Sequence, residues 1–164
     1  MFLSALPAYA PTQDRQPLPP QHAILREAAV DLPERLGAFT RHSVDLVADG
    51  LAGAHYLSPS NAVITVFVGR TQKPLAEDLA ATEDAVSQTM SGVRALRNLA
   101  APRSAPGALG RLWTGETRVG PVNTLTMIWH RRGWRIKIRG TAPAASGDAG
   151  IAEMEQAVRA FDRD

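Results

Sequence analysis

Apolar residues change their spacing along the chain, and the spacing divides it into strands and helices. Alternating apolar positions predict strands over residues 39–47 and 54–57. The run at 62–68 is almost continuously β-branched and aromatic, which is typical of a central strand that is buried on both faces. A strand is also expected over 23–31, with a short helix as the alternative, and Pro33 ends either one.

A long helix is predicted in the middle of the chain. Pro74 suits a first helical turn, where a missing backbone N–H costs little. The apolar residues that follow are mostly three, four or seven positions apart as far as Asn98, so they form one stripe along a helix that Gly92 could bend. This stripe consists of Leu75, Leu79, Val86, Met90, Val93 and Leu96. A solvated face on the other side is expected for four acidic residues, Glu77, Asp78, Glu83 and Asp84.

The last third of the chain predicts three strands followed by a helix. After a Pro- and Gly-rich loop at 101–110, strands are expected over 111–119, 123–130 and 134–139, joined by short turns. A final helix is expected to begin near Asp148, whose carboxylate can cap it. This order of elements predicts an α+β fold with a mostly antiparallel sheet, made of hairpins and a C-terminal three-stranded meander. The long central helix and the C-terminal helix are expected to cover the sheet.

The first 21 residues differ from the rest. Five prolines among small and polar residues predict an extended tail at 1–21 without a core of its own, while residues 22–164 are expected to form one domain. Residues 2–10 are similar to the end of a secretory signal peptide, and Ala8 and Ala10 fit its cleavage pattern. A positive segment before them is missing, and Pro11 disfavours cleavage. Export to the periplasm is therefore one expectation, and a cytoplasmic protein with a tail is the alternative.

Positive charge concentrates in one segment of the chain. Residues 101–147 contain eight Arg or Lys residues and one acidic residue, a net charge of +7, although the formal charge of the whole protein is only +2. No stretch approaches the roughly 18 apolar residues that a membrane-spanning helix needs. The charge asymmetry indicates either a binding face or the mutual covering of elements with opposite charge.

The last predicted hairpin concentrates this charge on one side. A two-residue turn at Arg132-Gly133 would pair Trp129 with Ile136, and would place the larger apolar side chains on one face. The other face and the turn then form a basic strip, defined as His130, Arg131, Arg132, Arg135, Lys137 and Arg139. Such a strip could bind phosphates, anionic lipid head groups or an acidic protein. The alternatives are a solvated sheet face, or a face that the acidic long helix partly covers. Nucleic acid is disfavoured, because the strip has no exposed aromatic side chains for base stacking.

Recognisable catalytic chemistry is missing from the sequence. There is no nucleophile elbow, Walker loop, dinucleotide-binding fingerprint or zincin motif. The chain contains no cysteine, which excludes disulfides, thiolate metal sites and cysteine nucleophiles. The densest group of metal-ligand types is His42, Asp45, Asp49 and His55, but a spacing of three puts His42 and Asp45 on opposite faces of a strand. Neither a metal nor a cofactor is predicted.

Several segments resemble an uncharacterised bacterial exported family with a PsbP-like α/β/α sandwich. They are Leu32-Pro33-x-x-Leu36-Gly37-x-Phe39, the run at 62–69, the long helix after Pro74, and the end of the meander, Trp134-Arg135-Ile136-Lys137-Ile138-Arg139-Gly140-Thr141. Together they cover about residues 30–164. The resemblance implies helices on both faces of the sheet and supplies no catalytic residue. Relatives of this fold mostly look like binding or assembly factors, so it favours a protein without catalysis.

Two functions of different classes are therefore expected. The first is a non-catalytic accessory protein of the cell envelope that binds an unknown protein or an anionic surface through the basic strip. The alternative is a small enzyme with a pocket lined by His42, His55 or His130. The sequence predicts neither the ligand nor the oligomeric state.

Overall fold

One antiparallel sheet organises the structure. The computed structural model describes residues 17–161, so most of the predicted tail and its cleavage pattern lie outside the described residues. Within this range eight strands follow the order β1-β2-β3-β4-β8-β7-β6-β5. The strands are β1 (Arg35–Leu36), β2 (Phe39–Ala48), β3 (Leu51–Leu57), β4 (Val63–Arg70), β5 (Ser91–Asn98), β6 (Leu109–Thr117), β7 (Gly120–Arg131) and β8 (Trp134–Pro143). The α-helices are α1 (Pro20–Ala28), α2 (Leu75–Thr89) and α3 (Gly147–Phe161), and a short 3-10 turn (Ala144–Ser146) precedes α3.

The helices cover the two faces of the sheet unequally. On one side, called the inner face, α1 packs on β2, β3 and β4, and α3 packs on β8 and β7. On the other side, called the outer face, α2 packs on β5, β6 and β7. The chain is therefore α+β with helices on both sides of an antiparallel sheet, as the sequence predicted. None of the helices among residues 17–161 is long and apolar enough to cross a membrane.

The main hydrophobic core lies between the inner face, α1 and α3. Alternate residues of the central strands point into it, including Ile64 and Val66 on β4 and Ile138 on β8, and these are fully buried. Helix α3 contributes one apolar face, with Met154 and Val158 buried. A smaller cluster under α2 on the outer face consists of Val86, Met90, Trp113 and Val122.

The first described element corrects the expected strand at 23–31. This segment forms helix α1, and its prolines explain where the helix begins, since Pro20 occupies the first helical position, where no backbone N–H is needed. Leu25 and Ala28 then face the core one turn apart. Ala29 ends the helix in the left-handed conformation, with φ of 50°.

The long helix is also shorter than predicted. It ends at Thr89, and residues 91–98 form the edge strand β5, which pairs with β6. Met90 and Val93 continue the apolar spacing of the helix, but Gly92 adopts a φ of +59°, which a helix does not allow. Two register irregularities, between Ser91 and Arg94 and between Ala95 and Arg97, interrupt the pairing of β5.

Strand β4 is central, as predicted, but its two faces differ. Its inner residues Ile64, Val66 and Val68 are fully buried. On the outer face Val63 is 37% exposed and Phe67 is only half-buried, so the expected burial on both faces is wrong for this side. The reason is that α2 packs on β5, β6 and β7 and leaves the outer side of β4 uncovered.

Candidate functional site

The hairpin of β7 and β8 forms as the sequence predicted. Arg132 and Gly133 make the two-residue turn, with φ values of 51° and 79°, as a type I′ turn requires. Trp129 is opposite Ile136, and both face the inner side. His130, Arg135, Lys137 and Arg139 therefore lie on the outer face, Arg131 and Arg132 lie at the end of the hairpin, and the structure gives these residues different surroundings.

Two members of the basic strip, His130 and Arg135, bind a buried carboxylate of α2. The side chain of Asp78 is only 2% exposed. Its Oδ2 lies 2.9 Å from Nε2 of His130, and its Oδ1 accepts a hydrogen bond of 3.3 Å from Nη1 of Arg135. Thr71 donates a further hydrogen bond of 3.4 Å to the same carboxylate. Both side chains therefore have their partner inside the molecule, and helix α2 partly covers the strip.

The buried position of Asp78 contradicts the solvated face predicted for the acidic residues of α2. Glu77 and Asp84 are exposed as expected, but Asp78 is buried, and Glu83 forms an ion pair with Arg111 on β6. The sequence contained a signal for this. Asp78 stands three positions after Leu75 and next to Leu79, within the apolar stripe, where a helical period places it against the sheet.

Lys137 and Arg139 have a different environment from Arg135 on the same strand. They lie beyond α2 and are half-buried, and neither forms an ion pair with another residue in the range 17–161. The Nζ atom of Lys137 lies 5.0 Å from the centre of the Phe67 ring, a cation–π contact. Burial lowers the pKa of Lys137, and the charges of Arg135 and Arg139 lower it further, while Asp78 opposes them.

Apolar side chains lie on the same face of the sheet, on the strands to one side of these two cations. Leu57 and Val63 are paired across β3 and β4 and are 46% and 37% exposed. Val47 is 46% exposed and lies beside Phe67 over Gly53, a glycine whose missing Cβ leaves room for the Val47 methyl group. We call this set the outer patch: Val47, Leu57, Val63, Phe67, Lys137 and Arg139. It combines positive charge with apolar surface on the part of the outer face that α2 leaves uncovered.

The remaining basic residues lie at the end of the hairpin. Arg131 and Arg132 are both exposed, and neither forms an ion pair with the residues that the structure describes. Arg131 borders a cavity of about 900 Å³ on the inner side of the hairpin, whereas Arg132 does not. The strip is thus divided between a buried network, the outer patch and the mouth of a cavity.

The three histidines of the alternative function lie in separate places. His42 is the extra residue of a bulge in β2 and is exposed, and His130 lies at the end of β7 beside the cavity. His55 lies on the outer face of β3, where Nδ1 is 3.2 Å from the Thr65 hydroxyl and Nε2 is 3.9 Å from Asp45. The three do not converge on one pocket. In residues 17–161 no group of three or more His, Asp or Glu side chains is arranged to hold a metal ion.

Comparison with known proteins adds only a likeness of fold. No protein-family model and no curated protein matches the chain. Among solved structures, a Pseudomonas aeruginosa protein of unknown function has a TM-score of 0.48 at 13% identity, over 75% of this chain and 95% of that one. The cyanobacterial PsbP protein of Synechocystis has a TM-score of 0.49 at 12% identity, over 77% and 92%. The similarity concerns the general arrangement of strands and helices alone, and export stays a prediction.

Proposed function

We propose that the protein is a non-catalytic accessory protein of the cell envelope, which binds an acidic protein partner through the outer patch. The observation that supports this most directly is that Lys137 and Arg139 have no acidic partner within the described range. They lie on one strand beside exposed apolar side chains, and no acidic residue in the described range pairs with them.

The electrostatics of the outer patch favour a carboxylate from outside. Lys137 and Arg139 are two positions apart on the same face of β8, so their Cα atoms are about 7 Å apart. Burial and mutual repulsion already disfavour the charged form of Lys137, as its lowered pKa indicates. A carboxylate placed between the two side chains would relieve this repulsion and form charge-assisted hydrogen bonds. Asp45, the nearest acidic residue on β2, is instead close to Ser43 and His55.

The apolar part of the outer patch favours a protein over DNA. Leu57 and Val63 are exposed beside the cations, and a phosphate backbone offers nothing apolar for them to contact. Protein interfaces combine an apolar centre with charged residues at its edge. Arg132, exposed at the hairpin end, adds positive charge near this surface and would increase the rate of encounter with an acidic partner.

Site-specific crosslinking tests this proposal. A photo-crosslinking amino acid would replace Thr65, which lies between the apolar and basic parts of the outer patch as the cross-strand neighbour of Arg139. A second version would carry it at Val119, which is 94% exposed in the turn between β6 and β7. We expect a specific adduct from position 65 alone, with the crosslink mapping to an acidic segment of the partner.

The charge dependence is tested with matched variants. Lys137→Ser with Arg139→Ser should reduce the adduct about tenfold or more, since each charge-assisted contact contributes about 1 kcal/mol or more. Arg94→Ser with Arg118→Ser removes the same charge from exposed positions elsewhere and should leave the adduct unchanged. Equal losses in both double variants would contradict a specific site.

Vesicles and DNA are the competing targets. Binding of the purified protein to phosphatidylglycerol vesicles and to duplex DNA would be measured across a salt series. If either binds and the Lys137/Arg139 double variant does not, the outer patch recognises an anionic surface in place of a protein. Arg135 is kept in these variants, because its loss would leave Asp78 without one of its partners.

The cell-envelope location rests on the signal-like segment at residues 2–10 and is tested separately. Fractionation of cells that produce the full chain from its own start should place the protein in the periplasm. Recovery in the cytoplasm alone would remove the location from the proposal and leave the outer patch as a binding surface.

A further inference from the structure

The cavity on the inner side of the hairpin has the size of a small-molecule site. Its volume of about 900 Å³ falls in the range of pockets that hold drug-sized ligands, about 300–1,000 Å³. Six segments meet around it: the end of α1 with residues 29–31, the first residue of α2, residues 104–108, the end of β7, Ile136 on β8 and the last residue of α3. It lies across the sheet from the outer patch, because Ile136 and Ile138 point inward where Lys137 and Arg139 point outward.

The wall of this cavity is apolar and aromatic. Trp129 and Phe161 form a tilted ring pair with centroids 5.7 Å apart, and both are only partly buried, so part of each ring still faces the cavity. Leu25 of α1 and Ile136 of β8 extend this wall and join it to the main core. An apolar or aromatic body would gain contact area here without any rearrangement of the core.

The mouth of the cavity carries excess positive charge. Arg26 at the end of α1 and Arg131 at the end of β7 border it, and neither forms an ion pair with a residue in the described range. Asp31 is the acidic residue at the same mouth, and His130 is held by Asp78. Within residues 17–161, two arginines against one aspartate favour an anionic group on the ligand, and a guanidinium fits a carboxylate with two hydrogen bonds.

We infer that this cavity binds an amphipathic carboxylate, a small molecule whose apolar body lies against Trp129 and Phe161 and whose acid group is bound by Arg131. Arg26 lies across the mouth and adds to the attraction. This is a site of its own, separate from the outer patch, so either one can fail without the other.

Three probes of equal length test the inference: dodecanoate and dodecylammonium, each used below its micelle-forming concentration, and dodecanol, used below its solubility limit. Binding to the full chain would be measured by calorimetry and by the fluorescence of the tryptophans. We expect dodecanoate to bind at least tenfold more tightly than dodecylammonium, with dodecanol between them.

Two neighbouring arginines supply a matched control for the charge. Arg131→Ser should weaken dodecanoate binding about tenfold and leave dodecanol unchanged. Arg132→Ser removes the same charge one residue away, outside the cavity, and should have no effect, and the same is expected for Arg139→Ser on the outer patch. Equal weakening by Arg131→Ser and Arg132→Ser would overturn the assignment of Arg131.

The apolar wall is tested by Phe161→Ala, which should weaken dodecanoate and dodecanol by the same factor of about ten. If this variant folds poorly, Trp129→Leu keeps most of the apolar volume and should give a smaller loss for both probes. Absence of dodecanoate binding to the unaltered protein at millimolar concentration, or a preference for dodecylammonium, would overturn the inference.

Discussion

The outer face of the sheet consists of two halves in which basic side chains have different partners. Under α2, Arg135 and His130 lie against Asp78, so the helix supplies the negative charge that they need. Further along β8, Lys137 and Arg139 form no ion pair with an acidic residue in the described range, and apolar side chains lie on the strands to one side of them. Basic residues of one strand thus have different surroundings, depending on whether α2 packs above them, and the uncovered pair is the one that we propose for binding.

The largest expected change in the free energy of unfolding comes from the closed inner face, and it contrasts with a small change in the open half of the outer face. Ile138 is fully buried between β8 and the helices, and Ile138→Ala should lower the free energy of unfolding by about 3–4 kcal/mol, since it removes apolar contacts and leaves a cavity. Val63→Ala, on the open half, should cost less than about 1 kcal/mol. Urea denaturation would measure both, and similar losses would show that the open half is as tightly packed as the inner face.

The stability of the half of the outer face that α2 covers depends on Asp78. Asp78→Ala leaves His130 and Arg135 without their carboxylate and should lower the free energy of unfolding by about 2–3 kcal/mol. Asp84→Ala removes an exposed acidic residue from the same helix and should change it by less than about 0.5 kcal/mol. If chemical denaturation gave the same small change for both, the buried network would not hold α2 on the sheet.

The contribution of Tyr56 to the stability of the inner face should depend on pH. Its hydroxyl group donates a hydrogen bond of 2.9 Å to the carbonyl oxygen of Pro33, and Tyr56→Phe should cost about 1 kcal/mol. Burial raises the pKa of Tyr56 from 10.0 to about 12, against the opposing effect of Arg41. This contribution to stability is therefore complete below pH 10 and is lost as the pH rises through about 12. The difference between the two proteins should shrink over that interval, and a constant difference would contradict the assignment.

Thr126 offers a stabilising substitution in the covered half. It is fully buried, and its hydroxyl group has no hydrogen-bond partner among residues 17–161. Thr126→Val keeps the shape of the side chain and removes the unpaired hydroxyl group, so the free energy of unfolding should rise by up to about 1 kcal/mol. Thermal denaturation would measure the change, and a loss of stability would indicate that the hydroxyl group is paired in solution.

The smallest expected effect concerns Lys137 in the open half. Its lowered pKa means that folding disfavours its charged form, so Lys137→Met should raise the free energy of unfolding by about 0.5 kcal/mol at neutral pH. This gain should shrink as the pH rises from the lowered pKa of Lys137 towards 10.5, because the lysine then loses its charge. The same substitution should weaken the crosslink at position 65. A variant that lost stability and kept the crosslink would contradict both roles of Lys137.

The C-terminal hairpin could be predicted in detail because its faces constrain it. Trp129 and Ile136 can share the inner face only in certain registers, and Arg132-Gly133 selects the two-residue turn among them. The strand β5 could not be found in this way, because Met90 and Val93 continue the period of the helix. Pairing with β6 and the φ of Gly92 decided the structure there, and both depend on the tertiary fold.

The candidate sites were predictable to different degrees. The basic strip was visible in the sequence, and the burial of Asp78 could have been read from its position in the apolar stripe of α2. The division of the strip could not be predicted, since nothing local shows that α2 reaches Arg135 at the start of β8 and leaves Lys137 and Arg139 without an ion pair in the described range. The cavity beside Arg131 also could not be predicted, because six segments, most of them distant in sequence, build it.

The two edges of the sheet have a consequence for self-association. At one edge β1 is only two residues long, and at the other β5 has two bulges and the exposed side chains of Arg94 and Arg97. Because β1 pairs with only Phe39 and Thr40, the rest of that edge is formed by β2, whose pairing with β3 also has two register irregularities. A second chain that approached either edge would therefore meet an irregular row of backbone donors and acceptors, which disfavours growth of the sheet into fibres.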